Sequence, residues 1–297
     1  MTGAPRALGR VLVTGAQGFL GSALVTRLRA TGNEVTATDV GGDGITCDVT
    51  DFAQVEAVVR GGYGTIFHCG AVSGPMVLAD QPLAIWRINA LGTAHVLEAA
   101  RRYKVGRVVV CSTSEVYGPC AGPVDERSLP HPTSVYAASK LAAEAATLGY
   151  VREHGLDAVA LRLSWIYGPG RRTPTTLEQA LRAVIAGRQA RFASGPDAIT
   201  HYLWIDDAVT GLLCAGHAAA LTECVYNITA GVGIPVRIIM DTLSGLRPQA
   251  RFSLRPDGDA ATGPSVIDNG RAAAHLGFHP ATTLEAGLDA YLRALAG

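Results

Sequence analysis

The chain has no excess of charge of either sign, since its 25 lysines and arginines balance 25 aspartates and glutamates. It therefore lacks the basic surface expected of a protein that binds nucleic acid or an anionic membrane. No apolar run reaches the length of about 18 residues that spans a membrane, and the first ten residues lack the apolar core of a secretory signal. These absences predict a cytoplasmic protein whose partners include neither nucleic acid nor a membrane.

The six cysteines show no CxxC spacing and no paired histidine cluster, so we expect no metal site. Several of them lie inside apolar, strand-like runs, where buried free thiols are common. The cysteines are Cys47, Cys69, Cys111, Cys120, Cys214 and Cys224.

Short apolar runs alternate with longer helical patterns through the first half of the chain. We predict strands at 10–14, 34–39, 45–48, 65–69, 107–112 and 158–163, and helices at 19–30, 52–60, 82–103 and 135–154. This alternation predicts an α/β fold, a Rossmann-type doubly wound parallel sheet covered by helices on both faces.

The regular alternation of strand and helix patterns ends after Trp165, where a turn-rich loop at 168–174 carries two arginines. Beyond it we predict strands at 191–192, 202–205 and 225–229, helices at 175–186, 235–246 and 284–295, and another helix beginning at Asp206. A stretch rich in Gly, Pro and Asp covers 255–263. We expect a nucleotide-binding domain of residues 1–170 plus 205–229, and a smaller C-terminal substrate-binding domain of 171–204 plus 230–297.

A glycine-rich turn follows the first predicted strand and precedes the first predicted helix. In such a turn Gly15 permits the tight bend, Gly18 lets the backbone approach a pyrophosphate, and Gly21 permits close helix–strand packing. We expect the helix to begin near Gln17, where free N–H groups and the positive end of the helix dipole favour phosphate. Phe19 and Leu20 complete the predicted cradle.

Asp39 ends the second predicted strand, 18 residues after Gly21. A carboxylate at this point accepts hydrogen bonds from ribose hydroxyls and repels a 2′-phosphate, so it favours NAD over NADP. The alternative is a solvated loop aspartate. Asp48 and Val49 are expected beside the adenine.

Tyr136 and Lys140 are four residues apart in a predicted helix, so their side chains share a face. A lysine ammonium near a tyrosine, together with the nicotinamide's positive charge, favours the tyrosinate and lowers the tyrosine pKa. Tyr136 would then exchange a proton with a substrate hydroxyl while hydride moves to or from its carbon. Thr113, at the end of the preceding strand, is expected to hold the same substrate oxygen.

Taken together, these segments resemble the extended short-chain dehydrogenase/reductase family, specifically its NAD-dependent epimerase/dehydratase group. The further segments that carry the resemblance are 68–71, 89–93, 112–118, 167–170, 205–207 and 268–284. The resemblance implies a Thr/Ser–Tyr–Lys triad, bound NAD, and a homodimer formed through the helices at 82–103 and 135–154. It also places Cys69, Gly70, Ala71 and Asn89 near the cofactor.

The chain departs from this family where nucleotide-sugar enzymes hold the diphosphate. Trp165 stands in place of the usual asparagine, and Thr200-His201 stand in place of the usual Arg-Asp. Both changes remove polar partners that a buried diphosphate needs. Trp165 is either a packing residue or a platform for a ring, and Arg171 and Arg172 are candidate replacement cations. The expected substrate contacts are Ser73, Ser114, Glu115, Trp165 and Arg171.

By the same resemblance, dehydratases of the group have a Thr-Asp-Glu sequence where this chain has Thr113-Ser114-Glu115. The aspartate is missing, so dehydration is disfavoured. Glu115 is either a substrate contact or a supporting residue. His68, His95 and His201 are expected to be structural.

The leading hypothesis is an NAD-dependent sugar epimerase that acts through a transient ketone on a carbohydrate-like substrate. The first alternative is a net dehydrogenase or reductase of a non-nucleotide hydroxy compound such as a sugar acid. The second is a non-catalytic protein that binds NAD.

Overall fold

The structure is a computed structural model that describes residues 4–42, 44–254 and 263–297. The strands of the first half are β1 (Val11–Thr14), β2 (Val35–Asp39), β3 (Ile45–Thr46), β4 (Thr65–His68), β5 (Arg107–Thr113), β6 (Pro123–Val124) and β7 (Ala158–Leu163). The later strands are β8 (Trp165–Tyr167), β9 (Gln189–Phe192), β10 (Ile199–Thr200), β11 (Tyr202–Trp204), β12 (Val225–Ile228), β13 (Ile234–Pro235), β14 (Arg251–Leu254) and β15 (Val266–Ile267).

The helices alternate with these strands. They are α1 (Phe19–Ala30), α2 (Phe52–Val59), α3 (Pro82–Trp86), α4 (Gly92–Arg102), α5 (Val135–His154), α6 (Thr176–Ile185), α7 (Ile205–His217), α8 (Val236–Leu246), α9 (Gly270–Leu276) and α10 (Leu284–Ala296).

Seven strands form the main sheet in the order β12-β7-β5-β4-β1-β2-β3, and every neighbouring pair is parallel. The chain runs outward from β1 to β3 and then returns to place β4 on the other side of β1. The carboxyl ends of β1 and β4 therefore flank a topological switch point, where open α/β sheets bind ligands. The predicted Rossmann-type parallel sheet is confirmed.

The central strands are buried on both faces, as parallel strands covered by helices are. Alternate residues of each strand enter opposite cores, so Phe67 and Val109 pack on the α1 and α7 side while Ile66 and Val108 pack on the α2 and α4 side. This arrangement fixes the ends of β1, β4 and β5, which carry the predicted site.

A third apolar cluster lies among the later elements and gathers side chains from α6, α8 and α10. Leu181, Leu243 and Leu288 are fully buried at its centre, and Tyr167 packs against Trp204 with their ring centroids 5.2 Å apart. This cluster contains most of the segments that we predicted to form the smaller domain.

The long helix predicted at 82–103 is one helical segment interrupted by a π-helical turn at Arg87–Leu91. The side chain of Asn89 lies in that turn and is fully buried. Its Oδ1 accepts from the backbone nitrogen of Val72 at 2.8 Å, and its Nδ2 donates to Ser139 Oγ on α5 at 3.0 Å. π-turns of this kind frequently lie at functional sites.

The short strands β6, β8, β10, β13, β14 and β15 and the helix α9 were not predicted, because so few residues show no apolar period. Most of the loop-like stretch predicted at 255–263 lies outside the described residues. Within the part of the chain that the structure describes, no helix is long and apolar enough to cross a membrane.

Candidate functional site

The glycine turn joins β1 to α1, and its backbone leaves no room for a side chain at two of its glycines. Gly15 has a φ of +67°, and a Cβ at this position would lie 2.5 Å from the backbone nitrogen of Gly70. A Cβ on Gly21 would overlap the carbonyl oxygen of Gly15. The turn therefore packs tightly against the segment after β4, as the predicted cofactor cradle requires. The helix begins at Phe19 with Gly18 as its N-cap.

Asp39 lies at the end of β2, beside the glycine turn. Its Oδ2 accepts from the backbone nitrogen of Gln17 at 2.9 Å, and its Oδ1 accepts from that of Val40 at 2.8 Å. The N–H of Gln17, which we expected to be free for phosphate, is thus committed to Asp39. Each carboxylate oxygen keeps a second lone pair with which it can accept from a ribose hydroxyl.

A cleft of about 780 Å³ opens at the switch point of the sheet. Predicted cofactor residues that line it are Gly15, Gly18, Asp39, Asp48, Val49, Cys69, Gly70 and Ala71. Phe19, Leu20 and Gly21 instead line an adjoining cavity, the one that also contains Tyr136 and Lys140. Asn89 lines neither cavity, and its hydrogen bonds support the loop that does.

The catalytic cavity, about 180 Å³, brings Thr113 together with Tyr136 and Lys140. Thr113 is the last residue of β5. The other two lie in the first two turns of α5, whose N-cap Ser134 accepts from the nitrogen of Ala137 at 3.1 Å. The predicted bounds of α5 match the structure, and so does the shared face of the two side chains.

The ionisation of Tyr136 differs from our expectation. Burial raises its pKa to about 12, although a hydrogen bond with Thr113 and the positive charge of Arg171 act in the opposite direction. Lys140 donates from Nζ to the carbonyl oxygen of Cys111 at 2.8 Å, and burial lowers the pKa of this lysine. The protein groups alone raise this pKa, and the lowering expected from Lys140 together with the positive charge of the nicotinamide stays a prediction.

A buried ion pair that the sequence did not reveal braces α5 against β7. Arg162 Nη2 lies 2.8 Å from Glu144 Oε2, both side chains are almost fully buried, and Ser112 Oγ also donates to Glu144. The guanidinium of Arg162 stacks over the ring of Tyr117 at 4.8 Å. Glu144 follows Lys140 by one helical turn on the same face, and this spacing is the one signal in the sequence that points to it.

Trp165 and Glu115, which were predicted to contact the substrate, contact each other at the wall of the cavity. Trp165 Nε1 donates to Glu115 Oε1 at 2.7 Å, and the backbone nitrogen of Glu115 donates to Thr113 Oγ1 at 3.2 Å. Burial raises the pKa of Glu115, while the indole hydrogen bond lowers it. Both residues also line a second cavity of about 450 Å³, together with Ser114.

Arg171 projects into the catalytic cavity, which Ser73 also lines. Its Nη1 donates to the carbonyl oxygen of Ile166 at 3.1 Å, and its guanidinium lies 5.7 Å from the ring centre of Phe19. Its Nε is buried and has no hydrogen-bond partner among the described residues. A buried donor without a partner is costly, so this arginine is suited to an anion in the cavity.

The three histidines make structural contacts, as expected. His68 bridges Thr14 Oγ1 at 2.7 Å and Thr93 Oγ1 at 3.1 Å, and burial lowers its pKa to about 3. His95 and His201 each bond a backbone carbonyl. The described residues contain no group of three or more His, Cys, Asp or Glu side chains that could hold a metal ion.

Comparison with known proteins places this geometry in a family. Residues 11–229 match the model of the NAD dependent epimerase/dehydratase family. The UDP-glucose 4-epimerase of Mycolicibacterium smegmatis is 30% identical over 305 positions, which cover 94% of this chain and 96% of the relative. The dTDP-glucose 4,6-dehydratase of Streptomyces niveus is 30% identical, over 94% of this chain and 90% of that protein.

Among solved structures, MoeE5 in complex with UDP-glucuronic acid and NAD superposes with a TM-score of 0.84. It is 31% identical, and the match covers 97% of this chain and 99% of that one. The predicted family and its cofactor, NAD, are confirmed, and the cradle at Gly15 and the carboxylate of Asp39 fit that cofactor. The chain belongs to the NAD dependent epimerase/dehydratase family and is an enzyme of the extended short-chain dehydrogenase/reductase type.

Proposed function

We propose that this enzyme is an NAD-dependent sugar epimerase, which oxidises a sugar hydroxyl to a ketone and then reduces that ketone on its other face. The observation that carries the proposal is the meeting of Thr113, Tyr136 and Lys140 in one cavity that adjoins the glycine turn. NAD supplies the hydride acceptor and donor when bound. The similar UDP-glucose 4-epimerase and MoeE5 support a sugar substrate carried on a nucleotide.

The cofactor would be held by residues of the cleft and of the glycine turn. Gly15, Gly18 and Gly21 allow the close approach of the pyrophosphate, and Asp39 accepts from the ribose. Lys140, beside Tyr136 on α5, would hold the nicotinamide ribose. The remaining proposed contacts are Gln17, Phe19, Leu20, Asp48, Val49, Cys69, Gly70 and Ala71, with Asn89 supporting the loop that carries Val72.

Tyr136 takes the proton of the substrate hydroxyl in the oxidation and returns it in the reduction. Thr113 hydrogen-bonds the same oxygen and orients it. Because burial raises the tyrosine pKa to about 12, proton transfer requires positive charge close to the phenol oxygen. Arg171 supplies part of that charge, and a cationic nicotinamide would supply more.

The substrate would lie against Ser73, Ser114, Glu115, Trp165 and Arg171, which line the catalytic cavity and the second cavity. The unpartnered Nε of Arg171 supports an anionic group on the substrate. Thr200 lines the second cavity at the position where the resemblance expects an arginine, whereas Arg171 lines the catalytic cavity. We therefore assign the anion of the substrate to Arg171.

A second candidate is a net NAD-dependent dehydrogenase or reductase of a non-nucleotide hydroxy compound such as a sugar acid. It is favoured by the orientation of Trp165, because the single indole N–H donates to Glu115 and is therefore not available to a diphosphate. The two functions differ in their demand for NAD, because epimerisation regenerates the cofactor and net oxidation consumes it.

The test uses UDP-glucose, UDP-glucuronic acid and the corresponding free sugar and sugar acid, each with NAD at one tenth of the substrate concentration. Epimerisation predicts that product, followed by NMR, exceeds the NAD supplied while NADH does not accumulate. Stoichiometric NADH with a free sugar acid would establish the second candidate instead. Tyr136→Phe is the control, and it should bind NAD without turning over.

The two proposed domains are residues 1–170 plus 205–229 for NAD and 171–204 plus 230–297 for the substrate. The third apolar cluster, separate from the two cores of the sheet, supports this division. A homodimer is proposed through the helices at 82–103 and 135–154. In the first of them Leu83, Trp86 and Leu91 are 70%, 39% and 46% exposed. Sedimentation as a monomer would refute the dimer.

A further inference from the structure

Two cysteines lie side by side at the carboxyl ends of neighbouring strands. His68 of β4 and Val110 of β5 are register partners, and Cys69 and Cys111 are the next residue on each chain segment. Their Sγ atoms are 3.6 Å apart, and neither forms a disulfide. Neighbouring strands are spaced about 4.8 Å apart, inside the range of Cα separations that a disulfide bridges. A side-chain rotation together with a small shift of the backbone can therefore bring the two sulfurs to bonding distance.

The pair borders the proposed active site at the edge of one core of the sheet. Both cysteines line the catalytic cavity with Tyr136 and Lys140, and Cys69 also lines the cofactor cleft. The cavity and the cleft lead to the pair, in which Cys69 is partly exposed and Cys111 is buried. Because Cys69 is one of the residues proposed to hold NAD, bound NAD would cover the pair.

The surroundings of the pair make its two thiols unequal. The hydrogen bond between the two thiols and the ammonium of Lys140 lower the pKa of Cys111, against the effect of burial. The same hydrogen bond and burial raise the pKa of Cys69. A thiol of lowered pKa at Cys111 beside a thiol of raised pKa at Cys69 is the arrangement of an attacking cysteine and its resolving partner.

We propose that Cys69 and Cys111 form a redox-sensitive dithiol in the catalytic cavity, which a peroxide converts into an intramolecular disulfide. The Cys111 thiolate attacks one peroxide oxygen, the O–O bond breaks, and the departing hydroxide takes up a proton to leave as water. Cys69 then attacks the sulfenic acid sulfur, the S–S bond forms, and the hydroxyl leaves as a second water. Two thiols are oxidised and one peroxide is reduced.

The disulfide is expected to weaken NAD binding. Cys69 precedes Gly70, whose nitrogen donates to Thr14 Oγ1 at 3.2 Å, and the backbone of this segment packs against Gly15 without room for a Cβ. A shift of Cys69 toward Cys111 is therefore transmitted to the glycine turn. We expect the oxidised protein to bind NAD at least tenfold more weakly, and dithiothreitol to restore the affinity.

The test treats the NAD-free protein with hydrogen peroxide and follows thiol content, intact mass and a peptide map. Oxidation should remove two of the six thiols and the mass of two hydrogen atoms, and the map should join the peptides of Cys69 and Cys111. Saturating NAD should slow the reaction at least tenfold. Sulfonic acid at Cys111 without a cross-link, or an equal rate with NAD bound, would overturn the proposal.

Variants make the assignment specific. Cys69→Ser and Cys111→Ser should each abolish the loss of two hydrogens, whereas Cys214→Ser on α7 is a matched control that should cross-link at the wild-type rate. Thermal melts establish that the variants fold. If one of them does not, the peptide map of the wild-type protein still decides, because a cross-link between any other two cysteines contradicts the proposal.

Discussion

Trp165 donates its indole hydrogen to Glu115 across a 2.7 Å contact, which joins the start of β8 to the segment that follows β5. The tryptophan occupies the position at which related enzymes usually present an asparagine to the diphosphate. It thereby supports a carboxylate that lines both cavities. In the function that we propose, the two residues together form the wall on which a sugar ring lies.

Replacing Trp165 by Phe keeps an aromatic wall and removes the donor. Loss of a hydrogen bond to a charged group costs about 1.5–3 kcal/mol, so we expect the substrate KM to rise about tenfold or more while NAD affinity stays within twofold. Steady-state kinetics and NAD titration measure the two effects. Trp204→Phe is the control, because its indole also bonds a nearby carboxylate, that of Asp206, but it does not line the catalytic cavity.

Removing the phenol oxygen of Tyr136 should leave binding intact and stop proton transfer. We expect Tyr136→Phe to lower kcat by about 10²–10⁴-fold, with NAD affinity unchanged. In the wild-type enzyme kcat should rise with pH, since the tyrosinate is the competent base and the protein groups alone place its pKa at about 12. A pH-independent kcat between pH 6 and 10 would contradict this role.

Arg171 acts on both the substrate and the tyrosine. The change Arg171→Gln removes the proposed anion partner, so the KM of an anionic sugar substrate should rise at least tenfold, and that of a neutral sugar far less. The arginine charge lowers the pKa of Tyr136, so its loss should also move the alkaline rise of kcat to higher pH. Arg27→Gln, at an exposed ion pair with Asp206, is the control and should change neither quantity.

The elements that the sequence predicted depend on local rules. Strand burial and helix periodicity act over a few residues, so a short window of sequence is enough to predict such features. Examples are the apolar run before Gly15, the spacing of Tyr136 and Lys140, and the carboxylate of Asp39. The fold class follows from their alternation. The π-turn around Asn89 was missed because one additional residue in a helix leaves the apolar pattern almost unchanged.

The contacts that the sequence did not predict join distant segments. Trp165 is 50 residues from Glu115, and Cys69 is 42 residues from Cys111. Each pair depends on the register of neighbouring strands, which no local pattern specifies. The effects of burial and of Arg171 on the pKa of Tyr136 were not predicted for the same reason, since both depend on segments that are distant in the sequence.

The ion pair between Glu144 and Arg162 should matter for stability more than any pair on the surface. Breaking a buried pair leaves an unpaired charge and costs about 3–5 kcal/mol, so we expect Glu144→Gln to lower the free energy of unfolding by that order. The exposed pair of Arg10 and Glu34 is the control, and Glu34→Gln should cost at most about 1 kcal/mol. Urea denaturation of both variants measures the difference, and equal losses would refute it.

His68 should make the protein less stable in acid. Burial lowers its folded pKa to about 3, whereas an unfolded histidine titrates near 6.5. Between these two values the unfolded chain binds a proton that the folded protein refuses, so stability falls as the pH decreases from about 6.5, by up to about 1.4 kcal/mol per pH unit. His68→Asn removes the titrating ring, and its loss of stability between pH 7 and pH 5 should be smaller than that of the wild type, as urea unfolding at both pH values will measure. His154→Asn is the control, because His154 is exposed. This variant should lose little stability at pH 7, which checks that urea unfolding separates a large effect at His68 from a small one. An unchanged pH slope in His68→Asn would show that other groups cause the acid sensitivity.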